Sequence, residues 1–154
     1  MGETERGRAL GVDFGTKRIG LAVSDSAGSI ALSVGMREVH SLEEALEAVR
    51  EAAEEKEAVE VVVGIPYNMN GSLGDMGVKA SDFAERLAER TGLPVRRWDE
   101  RLTSMQAARA LRQSGMSRRK RDARTDAAAA QILLQSYLDS RPPLQGKGEP
   151  RAND

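Results

Sequence analysis

The chain has 154 residues, a formal net charge of −1 at pH 7, no cysteine and one histidine, His40. Its length predicts one compact domain, and with only 3% aromatic residues the core must be mostly aliphatic. Disulfides, thiolate metal sites and multi-histidine zinc sites are excluded. No apolar run approaches the ~20 residues of a membrane span, and the first residues lack the apolar core of a signal peptide, so we expect a cytoplasmic protein.

The near-neutral net charge hides an uneven distribution. Residues 38–60 carry nine acidic and two basic side chains, whereas residues 86–124 carry twelve basic and four acidic ones. A helix with one solvated, glutamate-rich face explains the acidic segment. The basic segment is typical of proteins that bind polyanions, although solvated helix faces would produce the same pattern.

The first forty residues predict three consecutive strands, at 8–13, 18–24 and about 30–39, paired as an antiparallel meander. The first strand ends in a carboxylate, Asp13. A carboxylate that closes a buried strand must be solvated, paired or bound to a cation. Asp13 alone fits a simple turn residue equally well.

A capping box, Ser41–Glu44, begins a helix that we expect to run to about Lys56. The apolar segment 59–63 then predicts a central strand. The loop 64–74 follows it and is rich in glycine and asparagine. Such a loop at the C-terminal end of a central strand is a common ligand site, although it could also be an ordinary connection.

A second helix is predicted over 75–91, with Gly92 as its stop, and a fifth strand over 95–98. Asp99 and Glu100 follow that strand, which repeats the placement of Asp13 at a strand end. A further capping box, Thr103–Gln106, predicts a helix to about Gln113. Residues 114–122 are expected to form a basic loop.

The last predicted helix spans about 123–139, and Asp126 occupies its apolar stripe together with Ala130, Leu133 and Tyr137. A capping role near the helix start would also explain this acid. Residues 1–140 are expected to form the domain. Residues 141–154, which are rich in proline and glycine, are expected to be a disordered tail.

Three separated acids, Asp13, Glu100 and Asp126, thus each end an element that packs at one sheet edge. Carboxylate oxygens suit Mg²⁺ or Mn²⁺, and such ions can activate water for phosphodiester cleavage. The element order β-β-β-α-β-α-β-α-α, with acids at these positions, predicts an α/β fold of the ribonuclease H-like type. This fold has a five-stranded mixed sheet with helices on both faces.

Four segments, 11–20, 64–71, 98–104 and 126–138, resemble the YqgF/RuvX family, whose members are called pre-16S rRNA nucleases or Holliday junction resolvases. The segments occur in the family's order and span nearly all of the chain except its tail. The resemblance implies a metal-dependent endonuclease of the ribonuclease H-like superfamily. It carries the family's acidic positions over to Asp13, Glu100 and Asp126.

The predicted partner is nucleic acid, either structured RNA or branched DNA. Junction resolution by paired nicks would favour a homodimer, whereas RNA trimming would not require one. The predicted substrate-binding residues follow the acids or lie in the basic segment: Thr16, Lys17, Arg18, Gly64, Pro66, Asn68, Asn70, Gly71, Arg101, Arg118, Arg119, Lys120 and Arg121.

Two other functions fit parts of the pattern. Residues 13–20 also resemble the phosphate loop of sugar-kinase- and actin-like phosphotransferases, but those enzymes close two domains over ATP and one domain is expected here. A non-catalytic nucleic-acid-binding module in transcription would need the basic surface and not the acids.

Overall fold

The computed structural model describes residues 6–103 and 118–142, and in the second range it describes side chains from residue 128 onward. The strands are β1 (Arg8–Asp13), β2 (Arg18–Ser24), β3 (Ala31–Glu38), β4 (Ala58–Ile65) and β5 (Val95–Asp99). The helices are α1 (Leu42–Glu55), α2 (Asp75–Thr91) and α3 (Arg118–Ser140), and a single 3₁₀ turn, Glu100–Leu102, follows β5.

The five strands form one mixed sheet in the order β3-β2-β1-β4-β5. β1 pairs antiparallel with β2, and β2 with β3, whereas β4 lies parallel to both β1 and β5. The predicted meander and mixed sheet are therefore confirmed. Because β1, β4 and β5 are parallel, their C-terminal ends meet at one edge, which we call the acidic edge.

Helices cover both faces of the sheet, as predicted. α1 and α2 pack with Leu10, Val12 and Val63 on one face. α3 packs on the other face, where its buried residues meet the alternate strand positions, including Ala9, Ala22 and Val62. This division follows from the period of two along a strand, which sends neighbouring side chains to opposite faces.

The capping box at α1 forms as expected, with one difference. The Ser41 hydroxyl accepts a hydrogen bond from the Glu44 amide at 3.1 Å. The Glu44 carboxylate, however, accepts from the amide of His40, one residue before the cap, at 2.7 Å. Both bonds satisfy amide groups at the helix start that have no partner within the helix.

The predicted start of α3 needs correction. α3 begins at Arg118 and not near residue 123, so residues 118–122 belong to a helix and not to a loop. This segment consists mainly of arginine and lysine, which are good helix formers, and contains no glycine or proline. The helix predicted over about 103–113 lies outside the described residues except for Thr103, which ends the 3₁₀ turn.

The predicted tail does not begin at Arg141. Arg141 donates to the Glu60 carboxylate at 2.8 Å and to the Gly28 carbonyl at 3.1 Å, and its side chain is only 15% exposed. Its charge is held by a buried acid far back in the sequence, which composition does not reveal. Residues 143–154 lie outside the described residues, so a disordered tail stays a prediction for them.

Candidate active site

Asp13 is the last residue of β1 and is buried, with 7% of its surface exposed. Val12 pairs with Val63 of β4, and continuing that parallel register places Asp13 beside Gly64. Gly11, two residues earlier, faces α3, since a Cβ on Gly11 would lie 2.8 Å from the Leu134 Cβ. Asp13 therefore points to the α3 face as well.

Glu100 is equally buried at 7% and reaches the same place from β5. Its carboxylate lies over Gly64, because a Cβ built on Gly64 would be 2.9 Å from Glu100 Oε2. Neighbouring strands are about 4.8 Å apart, so Gly64 lies between two buried acids. Its missing side chain leaves the space that the Glu100 carboxylate occupies.

The 3₁₀ turn that carries Glu100 is held at both ends. The Asp99 carboxylate accepts from the Arg101 amide at 2.9 Å and so caps the turn. Thr103 closes it, since its hydroxyl donates to the Glu100 carbonyl at 2.7 Å and its amide to the same oxygen at 3.1 Å. The backbone of Glu100 is thereby fixed relative to β5.

α3 brings its N-terminal half toward this edge. The backbone of Ala130 lies at Gly11, in the middle of β1, and Tyr137 reaches Glu60 near the start of β4. α3 therefore runs antiparallel to β1 and β4. Asp126 lies about 6 Å along the helix from Ala130, and Asp13 lies about 6.6 Å along the strand from Gly11. The backbone of Asp126 is thus level with Asp13, while its side chain lies outside the described residues.

The buried residues of α3 follow the predicted stripe. Ala130 and Leu133 are fully buried, and Tyr137 is 9% exposed. Asp126 continues this stripe by one turn.

The donor set fits a hard divalent cation. Asp13 and Glu100 supply carboxylate oxygens, and the chain has no cysteine and one histidine. Among the side chains that the structure describes, no group of three His, Cys, Asp or Glu residues could hold a metal ion. The side chain of Asp126, the third acid of the predicted set, lies outside the described residues.

Most predicted substrate-binding residues also reach the acidic edge. Thr16 and Lys17 are exposed in the β1–β2 turn, directly after Asp13, and Arg18 begins β2. Pro66, Asn68, Asn70 and Gly71 belong to the loop after β4. Gly64 instead lies buried beneath Glu100. Arg118, Arg119, Lys120 and Arg121 form the start of α3, and their side chains lie outside the described residues.

The loop after β4 is organised by its own polar side chains. Asn68 Nδ2 donates to the Ser72 hydroxyl at 2.9 Å, and the Ser72 hydroxyl and amide donate to Asn70 Oδ1 at 2.6 and 3.0 Å. Gly71 adopts a left-handed φ of 89° and donates its amide to the Asn68 carbonyl. The loop therefore has a defined shape.

Sequence reasoning did not assign a role to Asp99 beyond its placement. The Arg101 guanidinium donates three hydrogen bonds to the Asp99 carboxylate, at 2.7–3.1 Å, and these lower the pKa of Asp99 below its ordinary value. The spacing Asp-x-Arg after a strand was the available signal. Tyr67, whose ring lies 5.3 Å below the Arg101 guanidinium carbon, was missed for lack of any such signal.

A mixed sheet in this order, with acids at the ends of β1 and β5 and on the covering helix, defines a ribonuclease H-like protein. RuvC from T. thermophilus, solved in complex with a Holliday junction substrate, has this fold, with a TM-score of 0.53 at 19% identity over 88% of this chain and 96% of its own. The fowlpox virus Holliday junction resolvase gives a TM-score of 0.52 at 14% identity over 86% of this chain and 98% of its own. At such identities the likeness establishes the fold alone.

The chain belongs to the RuvX family. The family model, described as RuvX: Holliday junction resolvase, matches residues 7–140. A relative from Caldanaerobacter subterraneus subsp. tengcongensis, named as a pre-16S rRNA nuclease, is 46% identical over 135 residues, which are 87% of this chain and 97% of that protein. A relative of the same name from Myxococcus xanthus is 42% identical over 137 residues, 88% of this chain and 91% of that protein. The predicted family and fold are confirmed.

None of the helices in the described part of the chain is long and apolar enough to cross a membrane.

Proposed function

We propose that this protein is a metal-dependent endonuclease that hydrolyses phosphodiester bonds in precursor 16S rRNA. The observation that carries the proposal is the pairing of two buried carboxylates, Asp13 and Glu100, across Gly64 at the acidic edge. Membership of the RuvX family and the names of the relatives support the substrate.

Asp13, Glu100 and Asp126 are the residues proposed to hold Mg²⁺ or Mn²⁺. When bound, such an ion polarises the scissile phosphate and lowers the pKa of a water molecule. The protein supplies the fixed positions of the oxygen ligands. The capped 3₁₀ turn holds Glu100, and strand pairing holds Asp13.

The side chains around the edge are proposed to hold the nucleic acid backbone. Lys17 and Thr16 extend from the turn beside Asp13, and the loop after β4 offers backbone amides and asparagine side chains. The four basic residues 118–121 begin α3, whose N-terminal half lies toward this edge. Phosphate contacts by lysine and arginine release counterions, and the affinity then depends on salt.

The direct test is cleavage of an RNA that contains the 5′ end of pre-16S rRNA, by purified protein with Mg²⁺ or Mn²⁺. Cleavage should need the ion and should be lost in Asp13→Asn. An Asp13→Asn protein that cuts at the wild-type rate would end the assignment. RNA binding with no cleavage would favour a non-catalytic module, and ATP binding measured by calorimetry would favour the phosphotransferase relationship.

A four-way DNA junction is the second candidate substrate, because the family description names Holliday junction resolution. The same preparation should be assayed on a junction and on its linear arms. Paired nicks at the junction would assign this activity, and the mass of the complex in solution would then report whether a homodimer forms. Cleavage confined to the RNA would leave precursor rRNA as the substrate.

Neutralising Arg118, Arg119, Lys120 and Arg121 together should weaken RNA binding and flatten its salt dependence. Each lost phosphate contact lowers the slope of log affinity against log salt by roughly 0.7 for a single strand. Unchanged affinity and slope would return this cluster to an ordinary solvated surface. Binding measured over a salt series without metal separates this effect from catalysis.

A further inference from the structure

Arg101 joins two separate segments of the acidic edge. Its Nε and Nη2 donate to the Asp99 carboxylate at 3.1 and 2.7 Å, on its own 3₁₀ turn. Its Nη1 donates to the carbonyls of Asn68 and Met69, each at 3.3 Å, in the loop after β4. The guanidinium also lies over the Tyr67 ring. One side chain therefore connects the loop to the turn that carries Glu100.

The same turn is fastened to α3 on its other side. The Ser136 hydroxyl donates to the Leu102 carbonyl at 3.3 Å and accepts from Trp98 Nε1 at 3.1 Å. Glu100 thus lies in a turn that is held on one side by α3 and on the other by Arg101. Of these two attachments, the one through Arg101 reaches the loop.

The hydrogen bonds that Arg101 already makes disfavour binding of a phosphate by its guanidinium. A guanidinium has five N–H donors, and here all three nitrogens already donate to protein oxygens. Its charge is paired with Asp99, so a phosphate would have to compete with a carboxylate that holds it through two nitrogens. The sequence placed Arg101 among the substrate-binding residues, and these contacts favour a different role.

We propose that Arg101 is a positioning residue that locks the loop after β4 to the Glu100 turn, so that the substrate-contacting loop and a metal-binding acid keep one fixed geometry. This inference rests on the proposed nuclease function. It assigns Arg101 an effect on turnover and not on phosphate affinity.

Arg101→Ala and Arg101→Lys separate the two roles. Lysine keeps the positive charge, but it cannot bridge a carboxylate and two carbonyls in a fixed fork. A positioning role predicts that both variants lose kcat by ~10–100-fold, since small misplacements near reacting groups have effects of this size. KM and the salt slope of RNA binding should stay near wild type. A phosphate contact predicts instead that lysine retains most activity, while alanine raises KM and flattens the slope.

Arg97→Ala is the matched control. Arg97 lies on β5 and donates to the hydroxyl and the carbonyl of Ser81, each at 3.2 Å, and Ser81 belongs to α2 and not to the loop. Its removal should leave kcat at the wild-type value. Assays well below each variant's melting temperature keep the comparison among folded proteins.

Hydrogen exchange of the metal-free protein gives a second readout that needs no activity. Peptides covering residues 66–74 should exchange faster in both Arg101 variants, whereas peptides from α1 should not change. Unchanged exchange in the loop would overturn the inference, as would a lower melting temperature with wild-type kcat. If the wild-type protein cleaves neither RNA nor junction, the proposed function fails, and the exchange experiment still tests the connection.

Discussion

Buried carboxylates lie at both ends of the sheet face that α3 covers, and their surroundings differ. Glu60, near the start of β4, is 8% exposed and accepts hydrogen bonds from Tyr137 at 2.9 Å and Arg141 at 2.8 Å, and from Arg96 at 3.2 Å. Asp13 and Glu100, at the acidic edge, are buried to the same extent beside Gly64.

The difference separates stabilising acids from proposed catalytic ones. At Glu60 two arginines and a phenol supply the positive charge and the donors that a buried carboxylate requires. These contacts also tie the last turn of α3 to the sheet. At the acidic edge the loops carry exposed polar and basic side chains, such as Lys17, and the acids are grouped. Burial of an acid alone therefore does not indicate a catalytic site. The residues around the acid distinguish a stabilising role from a catalytic one.

Glu100→Gln should have the largest effect, on catalysis. Loss of a group that only supports a metal ligand costs 10–100-fold, so loss of a ligand should lower the cleavage rate by at least ~100-fold. Glutamine keeps the shape of the side chain and removes one of the like charges grouped at the acidic edge, so we expect the melting temperature of the metal-free protein not to fall. Mn²⁺ should raise the melting temperature of wild type by binding the folded state, and this rise should shrink in the variant. Cleavage at the wild-type rate by Glu100→Gln would contradict the assignment of Glu100 to the metal site.

Glu60→Gln makes the same chemical change at the opposite end of the sheet face, and it should lower the stability of the fold. It leaves the largely buried Arg141 without its carboxylate, which should lower the free energy of unfolding by about 2 kcal/mol. Cleavage at a temperature well below unfolding should match wild type. Urea unfolding provides the measurement. Glu54→Gln is the control, because Glu54 is exposed and solvent screens its pair with Arg50, so its loss should change stability little.

Gly64→Ala should lower the cleavage rate by about tenfold while leaving a folded protein. The new methyl group would meet Glu100 Oε2 at 2.9 Å and Leu133 Cδ1 at 3.3 Å, so the carboxylate has to move. If the methyl group acts by displacing Glu100, adding Gly64→Ala to the Glu100→Gln variant should lower the cleavage rate little further. Fully additive losses in the double variant would contradict this explanation.

Tyr137→Phe should have the smallest effect, a loss of about 1 kcal/mol from the hydrogen bond to Glu60. Burial, with the Glu60 hydrogen bond next, raises the pKa of Tyr137 above its ordinary value of 10.0. The folded state therefore favours the protonated phenol, and this contribution is present below the ordinary value and lost as the pH rises through the folded-state pKa. Wild type should thus lose more stability than Tyr137→Phe at strongly alkaline pH. Parallel losses in unfolding experiments would exclude that linkage.

The strands and helices outside the basic segment could be predicted from the sequence, because their signals are local. Alternation and short apolar runs predicted β1 to β5, and caps such as Ser41 and Gly92 predicted where α1 begins and α2 ends. The same local signals placed Asp13 and Glu100 at strand ends. The family resemblance implies a common role for them.

Contacts between residues far apart in the chain could not be predicted in this way. Nothing near Arg141 in the chain predicts Glu60 as its partner, so composition alone assigns Arg141 to the tail although it is bound to the domain. Arg101 was assigned to substrate from its position beside Glu100, yet its donors are directed to Asp99 and to the carbonyls of Asn68 and Met69. Gly64 was grouped with the substrate loop, and the packing of β5 against β4 makes it the space for the Glu100 carboxylate. Such contacts depend on the order of strands in the sheet and on the direction of α3. The pattern of residues along the chain does not show which individual residues these features bring together.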